Sequence, residues 1–269
     1  MESFDRLAQI MAQLRAPDGC PWDQVQTHES LRPYLIEESA EVLDAIAEKN
    51  PRALCEELGD LLLQVVFHAQ LAQEAGQFSL DDVCQGIGDK LVRRHPHVFG
   101  DERAESAEAV KPLWDAIKKQ EKAARGESAE NASALDGVAT ALPALAGALQ
   151  ISKKAAKVGF EWPNEDGVWD KVREELDELQ SARDEGESKE RQAEELGDLL
   201  FSVVNIARWR KVDPETALRD VNLKFKKRFE TMEALARKEA RALDTLSAEE
   251  WDALWNRAKS ATTGEIIES

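Results

Sequence analysis

The 269-residue sequence has little of what marks disulfide-linked or membrane-spanning proteins. Its three cysteines, Cys20, Cys55 and Cys84, are odd in number and lack CxxC spacing, which disfavours both a disulfide framework and a zinc site. No apolar run approaches the roughly 20 residues that span a bilayer. The first fifteen residues are amphipathic and include acids, unlike a secretory signal or a transit peptide. These absences predict a cytoplasmic protein with reduced thiols and no membrane partner.

Glycine, proline and aromatic residues are also scarce, whereas Ala, Leu, Glu, Lys and Arg are abundant. This composition favours helices, and apolar residues recur with helical spacing, without any alternating pattern of β-branched residues. The net charge is −18 and no block of basic residues occurs. Binding to a nucleic acid polymer is therefore disfavoured, because it depends on Lys and Arg. We predict an all-α fold.

The two halves of the sequence repeat each other. EELGDLL begins at Glu56 and again at Glu194, and further features recur in the same order at offsets of 134 to 141 residues. The polar stretch EKAARGESAENASALDGV between the halves predicts a flexible linker. We expect two tandem helical-bundle domains of four or five helices each, with bounds of 1–122 and 139–262 and a linker over 123–138.

An acidic pattern recurs in both halves: EExxE, then 15 or 16 residues, then ExxD. Residues three apart share a helix face, and a turn at residues 185–187 would make the two acidic helices antiparallel neighbours. A single EExxE is commonly a solvated face, but four facing carboxylates repel one another unless a cation lies between them. Oxygen ligands without His or Cys favour Mg²⁺, with Mn²⁺ as a substitute. The predicted metal ligands are Glu175, Glu178, Glu195 and Asp198 in the second half, and Glu38, Glu41, Glu57 and Asp60 in the first.

The EELGDLL helix carries two further expectations. Its leucines are predicted to pack each helix into its own bundle. Gly59 and Gly197 suggest either a close backbone approach at the helix crossing or ordinary helix packing, because glycine inside a helix costs about 1 kcal/mol relative to alanine.

Basic and aromatic residues follow the acidic helices. A Lys/Arg pair four residues apart is commonly a surface feature, but in a strongly acidic chain it also fits a clamp for phosphate oxygens. A tryptophan with a lysine four residues later comes near the end of each half, and it would either pack in the core or stack on a nucleotide base. These residues are Lys224, Arg228, Trp255 and Lys259 in the second half, and Lys90, Arg94, Trp114 and Lys118 in the first.

Together these groups fit metal-assisted attack of water on a phosphoanhydride, with Glu174 or Glu175 as the general base. Lys171 adds positive charge to the second acidic set, where the first half has Tyr34, which favours triphosphate binding in the second half. No Walker loop is present, so the chain is not a P-loop NTPase. The alternative is a helical interaction protein that binds a basic partner; a di-iron bundle would need Glu-x-x-His pairs, which are absent.

The acidic pattern, with CPWD at Cys20–Asp23, RRHPHVF at Arg93–Phe99 and VGFEW at Val158–Trp162, resembles the MazG nucleoside triphosphate pyrophosphohydrolases over nearly the whole chain. Dimeric dUTPases and phosphoribosyl-ATP pyrophosphohydrolases share similar acidic helices, but not the whole set of motifs. The resemblance implies two domains of the all-α NTP pyrophosphatase type in a homodimer. It also implies Mg²⁺-dependent hydrolysis of NTPs and dNTPs to the monophosphate and pyrophosphate, as nucleotide-pool housekeeping.

By this resemblance, the second-half carboxylates Glu175, Glu178, Glu195 and Asp198 would hold Mg²⁺. Lys224 and Arg228 would bind phosphates, and Trp255 would lie against the nucleotide. The family also suggests that the C-terminal unit is the competent one, although the first half keeps the matching residues.

Overall fold

The computed structural model describes residues 2–124 and 133–264, and over these ranges the chain is helical without any β-strand. The prediction of an all-α fold is confirmed. The chain divides into two compact units, Met1–Ala129 and Glu130–Ser269. Of the expected linker, residues 125–132 lie outside the described part, and residue 124 ends a helix. No helix in the described part combines the length and the apolar character that a bilayer span requires.

The first unit is built around a long helical hairpin. Its described helices are α1 (Glu2–Arg15), α2 (Pro21–Gln24), α3 (Arg32–Ala47), α4 (Pro51–Glu74), α5 (Leu80–Arg94), α6 (Pro96–Phe99) and α7 (Ala107–Ala124). These outnumber the expected four or five, because α2 and α6 are single turns that begin at a proline, a residue whose fixed φ suits the first helical position. Helices α3 and α4 pack along each other, and α1 packs on α4 around a core of Met11, Leu31, Val66 and Phe67.

The second unit repeats this hairpin. Its described helices are α8 (Ala144–Lys157), α9 (Glu165–Asp184), α10 (Lys189–Trp209), α11 (Pro214–Lys238) and α12 (Ala248–Gly264), with a 3₁₀ turn at Leu243–Thr245. Helices α9 and α10 form the most extensive pair, and α8 packs on both α10 and α11. A core of Met232, Ala236, Leu254 and Ala258 joins α11 to α12.

Equivalent turns join the two acidic helices of each unit. The chain reverses through a left-handed residue in both, Lys49 with φ 54° and Gly186 with φ 69°. The second helix of each pair then starts on a side-chain cap. Asn50 accepts the N–H groups of the first turn of α4, and Ser188 does the same for α10. The predicted turn at residues 185–187 is confirmed, and it sets the register of the carboxylates.

The leucines of EELGDLL do not all pack inside their own unit. Leu58, Leu62, Leu196 and Leu200 are 37–49% exposed. A Cβ atom added at Gly59 or Gly197 would meet nothing within 4 Å. The expectation of bundle packing is therefore wrong for these four leucines, and so is that of a close backbone approach. The reason is geometric: this face of α4 and of α10 points away from the helices that the same unit packs against it.

Loss of one buried hydroxyl tests the packing of α8 on α10. Ser152 Oγ donates a hydrogen bond to Asn205 Oδ1, and Asn205 Nδ2 donates to the carbonyl of Phe201. Ser152 and Asn205 are both buried. We expect Ser152→Ala to lower the free energy of unfolding by about 1–3 kcal/mol, because it leaves Asn205 Oδ1 buried without its donor. Urea denaturation measures the change.

The matched control is Ser260→Ala, since the exposed Ser260 hydroxyl donates to the carbonyl of Asn256 within its own helix. It should change the free energy of unfolding by less than about 0.5 kcal/mol. Equal values for the two variants would contradict a structural role for the Ser152–Asn205 contact.

Candidate active site

The second unit gathers three carboxylates between α9 and α10. One oxygen from each of Glu175, Glu195 and Asp198 lies within 4.8 Å of the others. Glu175 and Glu195 are 5% and 3% exposed, whereas Asp198 is exposed. Glu178, the fourth predicted ligand, lines a cavity of about 180 Å³ together with Glu195. The structure therefore brings three of the four predicted ligands together and places the fourth beside them.

The first unit gathers a set that matches this one at only two positions, Glu38 and Glu57, with Glu41 in place of Asp60 as the third member. Oxygens of Glu38, Glu41 and Glu57 lie within 4.8 Å of one another. Burial, followed by the charges of Asp60 and Glu41, raises the pKa of Glu38. Burial, followed by the charges of Glu41 and Asp60, also raises the pKa of Glu57. Asp60, the fourth predicted ligand, thus affects this cluster through its charge. The cluster carries an excess of negative charge that a bound cation would offset.

Basic residues compensate the buried carboxylates of the second unit. Lys171 Nζ lies 2.6 Å from Glu175 Oε1 and 2.9 Å from Glu174 Oε1. These carboxylates, that of Glu175 first, raise the pKa of Lys171 above its ordinary value. Arg191 forms an ion pair with Glu195 from the preceding turn of α10. Each of the two buried carboxylates of the cluster therefore has a basic partner.

Sequence reasoning missed Arg191. The available signal was its position four residues before Glu195, a spacing at which side chains meet on a helix. The first unit has Tyr34 and Ala53 where the second has Lys171 and Arg191, so it has no basic side chain at either position. The two sets share two equivalent positions, and they differ in the third carboxylate and in charge compensation.

Both sets fit a hard divalent cation. Each offers carboxylate oxygens alone, which is the donor type that Mg²⁺ and Mn²⁺ prefer. The raised carboxyl pKa values of the first unit, and the basic side chains held against the carboxylates of the second, indicate sites where added positive charge is stabilising.

The predicted phosphate ligands of the second unit lie on α11 and α12. The guanidinium of Arg228 lies over the ring of Trp255, 5.8 Å from its centroid. Arg228 Nε is buried and has no hydrogen-bond partner among the described residues. Trp255 also packs on the core of this unit, with its ring centroid 5.3 Å from that of Phe225. Lys224 and Lys259 are exposed. Trp255 is therefore a core residue whose ring also contacts the clamp arginine.

The corresponding groups of the first unit lie on α5 and α7. Lys118 Nζ lies over the ring of Trp114, 5.4 Å from its centroid, and His95 packs edge-on against the same ring. Lys90 is exposed, and Arg94 forms an ion pair with Glu121. The arginine of the predicted clamp is thus paired in this unit, whereas Arg228 Nε has no partner among the residues that the structure describes.

Comparison with known proteins gives a consistent result. The family model of the MazG nucleotide pyrophosphohydrolase domain matches residues 26–99 and 167–233. The chain belongs to the MazG nucleotide pyrophosphohydrolase family. A Thermotoga maritima relative named "Nucleoside triphosphate pyrophosphohydrolase/pyrophosphatase MazG" is 48% identical and aligns over 95% of each chain. An Escherichia coli K12 relative named "Nucleoside triphosphate pyrophosphohydrolase" is 44% identical, over 96% of this chain and 98% of its own.

The MazG matches divide the candidate residues into two classes. Each matched segment contains one acidic set followed by one Lys/Arg pair. The last residue of the pair is Arg94 in the first segment and Arg228 in the second. Trp114 and Trp255, with the lysines that follow them, lie outside both segments. The matched segments thus contain the acidic sets and the Lys/Arg pairs, and the tryptophan helices α7 and α12 lie outside them.

Removing Lys171 tests the charge compensation. The Glu175 side chain is 6% exposed and that of Lys171 is 34% exposed. We expect Lys171→Ala to lower the free energy of unfolding by about 1–2 kcal/mol in metal-free buffer, below the value for a fully buried pair because solvent screens the lysine. Added MgCl₂ should restore part of this loss, because an ion that binds only the folded protein stabilises it. Thermal unfolding with and without Mg²⁺ measures both effects.

Arg173→Ala is the control, because Arg173 pairs with Asp170 on the exposed face of the same helix. It should leave the melting temperature unchanged in both buffers. If Lys171→Ala behaved like this control, Lys171 would not compensate the cluster.

Proposed function

We propose that the chain hydrolyses NTPs and dNTPs to the monophosphate and pyrophosphate with Mg²⁺, for which Mn²⁺ can substitute. The observation that supports this most directly is the set of three carboxylates, Glu175, Glu195 and Asp198, gathered between two helices of a MazG unit. Two relatives that align over nearly the whole chain carry names stating this activity. The free state of all three cysteines is consistent with a cytoplasmic role in nucleotide-pool housekeeping.

The carboxylates divide into ligands and a base. Glu175, Glu178, Glu195 and Asp198 would hold the ion in the second unit, and Glu38, Glu41, Glu57 and Asp60 in the first. The bound ion supplies neutralisation of phosphate charge and a lower pKa for the attacking water. Glu174 or Glu175 accepts the proton of that water; Glu174 is the exposed one of the two and is hydrogen-bonded to Lys171.

The bond changes follow from the products. The water oxygen forms a bond to the α-phosphorus, and the bond from that phosphorus to the α–β bridging oxygen breaks. The electron pair of this bond leaves with pyrophosphate, and the water proton goes to the glutamate. Positive charge close to the phosphates stabilises this step, because negative charge builds up on the leaving group.

The clamp residues bind the triphosphate. Arg228 offers a buried Nε donor that has no partner among the described residues, and Lys224 lies one turn earlier on the same helix. Lys171 and Lys259 add positive charge, and the ring of Trp255 lies against the nucleotide. In the first unit Lys90, Arg94 and Trp114 take the equivalent roles.

A helical interaction protein remains the alternative of a different class. Its acidic faces would bind a basic partner and it would release no pyrophosphate from any nucleotide. The pairing of Glu175 with Lys171 argues against this alternative, because the buried Glu175 carboxylate is not presented to a partner protein.

Loss of one ligand in each unit tests the enzymatic proposal. We expect Asp198→Asn, made together with Asp60→Asn so that both ion sites lose a ligand, to lower pyrophosphate release at least about 100-fold across a panel of NTPs and dNTPs, because ion binding supplies several kcal/mol of transition-state stabilisation. The matched control is Asp177→Asn, which removes an exposed carboxylate from α9 and should retain full activity. Asp60→Asn alone measures the contribution of the first unit in the same assay.

Two results would contradict the proposal. Full activity of the variant with both Asp60→Asn and Asp198→Asn would remove these two residues from the metal sites. An unmodified chain that releases no pyrophosphate with Mg²⁺ or Mn²⁺, yet binds a basic protein, would favour the alternative.

We also propose that two copies of the chain form a homodimer through one apolar stripe in each unit. Residues at i, i+4 and i+7 of the acidic helix are 37–49% exposed in both units. Exposed apolar surface at helical spacing marks an interaction site, and a second copy is the commonest partner of such a surface. Glycine in the same stripe leaves open space for a packed helix. The stripe consists of Leu58, Gly59, Leu62 and Val65 on α4, and Leu196, Gly197, Leu200 and Val203 on α10.

Charge placed in the stripe tests the homodimer. We expect the double variant Leu62→Glu and Leu200→Glu to be a monomer, because dimerisation would bury two unpaired carboxylates in each copy. Sedimentation equilibrium at micromolar concentration measures the mass. Val212→Glu is the control, since Val212 is 47% exposed in the connection between α10 and α11. A double variant that keeps the mass of a dimer, or an unmodified chain that is already a monomer, would contradict the proposal.

A further inference from the structure

In the first unit, the arginine of the predicted phosphate clamp, Arg94, pairs with the carboxylate of Glu121. Glu121 on α7 accepts hydrogen bonds from Arg94 Nε at 3.2 Å and from Arg94 Nη2 at 2.6 Å. It also accepts one from Arg93 Nε at 2.7 Å. The side chains of Arg94 and Glu121 are 21% and 12% exposed. Pairs of this bidentate, charge-assisted kind are among the stronger hydrogen bonds in proteins.

This carboxylate is charged at neutral pH. The hydrogen bonds from Arg94, followed by those from Arg93, lower the pKa of Glu121 to about 2. Glu121 therefore offers the arginines the same kind of anionic oxygen that a phosphate would offer them.

The pair lies in a cavity of about 730 Å³. A volume of this size lies within the range of small-molecule sites. Three cations, Lys90, Arg93 and Arg94, line it, and two carboxylates, Glu102 and Glu121, line it as well. The cations suit an oligophosphate, whereas the two carboxylates offset most of their charge.

The second unit lacks this carboxylate. Thr262 takes the position equivalent to Glu121, at the offset of 141 residues that also relates Trp114 to Trp255. Thr262 Oγ1 donates a hydrogen bond to the carbonyl of Ala258 in its own helix. The buried Nε of Arg228 finds no acceptor within the described part of the chain. A phosphate oxygen can thus approach Arg228 without displacing a carboxylate, but must displace Glu121 to reach the same donors of Arg94.

We propose that Glu121 is an internal competitor for phosphate in the first unit, and that Thr262 leaves the clamp of the second unit open to the triphosphate. The inference rests on the proposed function, because it concerns the substrate phosphates. The residue at position 121, or at the equivalent position 262, then determines the difference in triphosphate affinity between the two units.

Exchange of the two residues tests the proposal in the full chain. The probe is the Mg²⁺ complex of α,β-methylene-ATP, which is not cleaved between the α and β phosphates, and titration calorimetry measures its Kd. An Arg228→Ala background weakens the second clamp, so that the remaining binding reports the first. In that background Glu121→Thr should tighten binding about tenfold or more, because it frees two donors of Arg94 and removes a negative charge. In the chain with Arg228 intact, Thr262→Glu should weaken the tighter binding event by a similar factor.

Two further variants control this experiment. Glu108→Thr removes an exposed carboxylate from the same helix and should leave the Kd unchanged. Glu121→Gln removes the charge but keeps the size of the side chain. It should tighten binding less than Glu121→Thr does, and it carries the test if thermal melting shows that Glu121→Thr is unfolded.

The outcomes are distinct. Unchanged or weaker binding by folded Glu121→Thr and Glu121→Gln variants would overturn the inference, because Glu121 would then position Arg94 for phosphate. In that case the proposed function would stand if the unmodified chain still released pyrophosphate. If no variant and no unmodified chain bound the probe or released pyrophosphate, the proposed function would fail, and the inference with it.

Discussion

Repulsion among carboxylates held between two antiparallel helices is the constraint on which the rest of the structure depends. The two units offset this repulsion in different ways. In the second, Lys171 and Arg191 lie against the buried Glu175 and Glu195, so each buried carboxylate has a basic partner, and Glu178 and Asp198 add two further negative charges. In the first, no basic residue takes these positions. A raised carboxyl pKa occurs in both units: burial and a neighbouring carboxylate raise the pKa of Glu38 in the first and that of Glu178 in the second. Both units contain the acidic helical hairpin, and they differ in the basic side chains held against it. We therefore expect the two units to differ in how they bind an ion.

The proposed metal ligands and the apolar stripe share one helix in each unit, so the proposed homodimer would link assembly to chemistry. On α10 the carboxylates of Glu195 and Asp198 alternate with the exposed Leu196 and Leu200. A second copy packed on that stripe would exclude water along the edge of the cluster. Electrostatic interactions strengthen as the local dielectric constant falls, so the ion and the carboxylates would interact more strongly in the dimer. In the proposed dimer, the repeated letters EELGDLL combine a ligand set with a contact surface, which would explain why both kinds of residue recur together.

The fold was largely predictable because its signals are local. Helical periodicity, the turn at Gly186 and the spacing of Glu175 from Glu178 depend on residues near one another in the chain. The exposure of Leu200 was not predictable, since periodicity shows which face of a helix is apolar and not what covers it. The pairing of Arg94 with Glu121 joins residues 27 apart on different helices, so no spacing rule reveals it. Arg191 is the intermediate case, because its spacing from Glu195 was visible in the sequence but the burial that gives the pair its importance was not.

Local charge matters more than net charge for a substrate that is itself an anion. The chain carries a net charge of −18, and the resulting electrostatic field opposes the approach of a triphosphate. At physiological ionic strength that field is screened beyond about 8 Å, so the charges that decide binding are those within the cavity. There a single carboxylate has a double effect: it removes one unit of positive charge and occupies donors with the geometry that phosphate requires. A duplicated domain can therefore keep its fold, its metal ligands and its clamp while one side chain changes which copy takes the substrate.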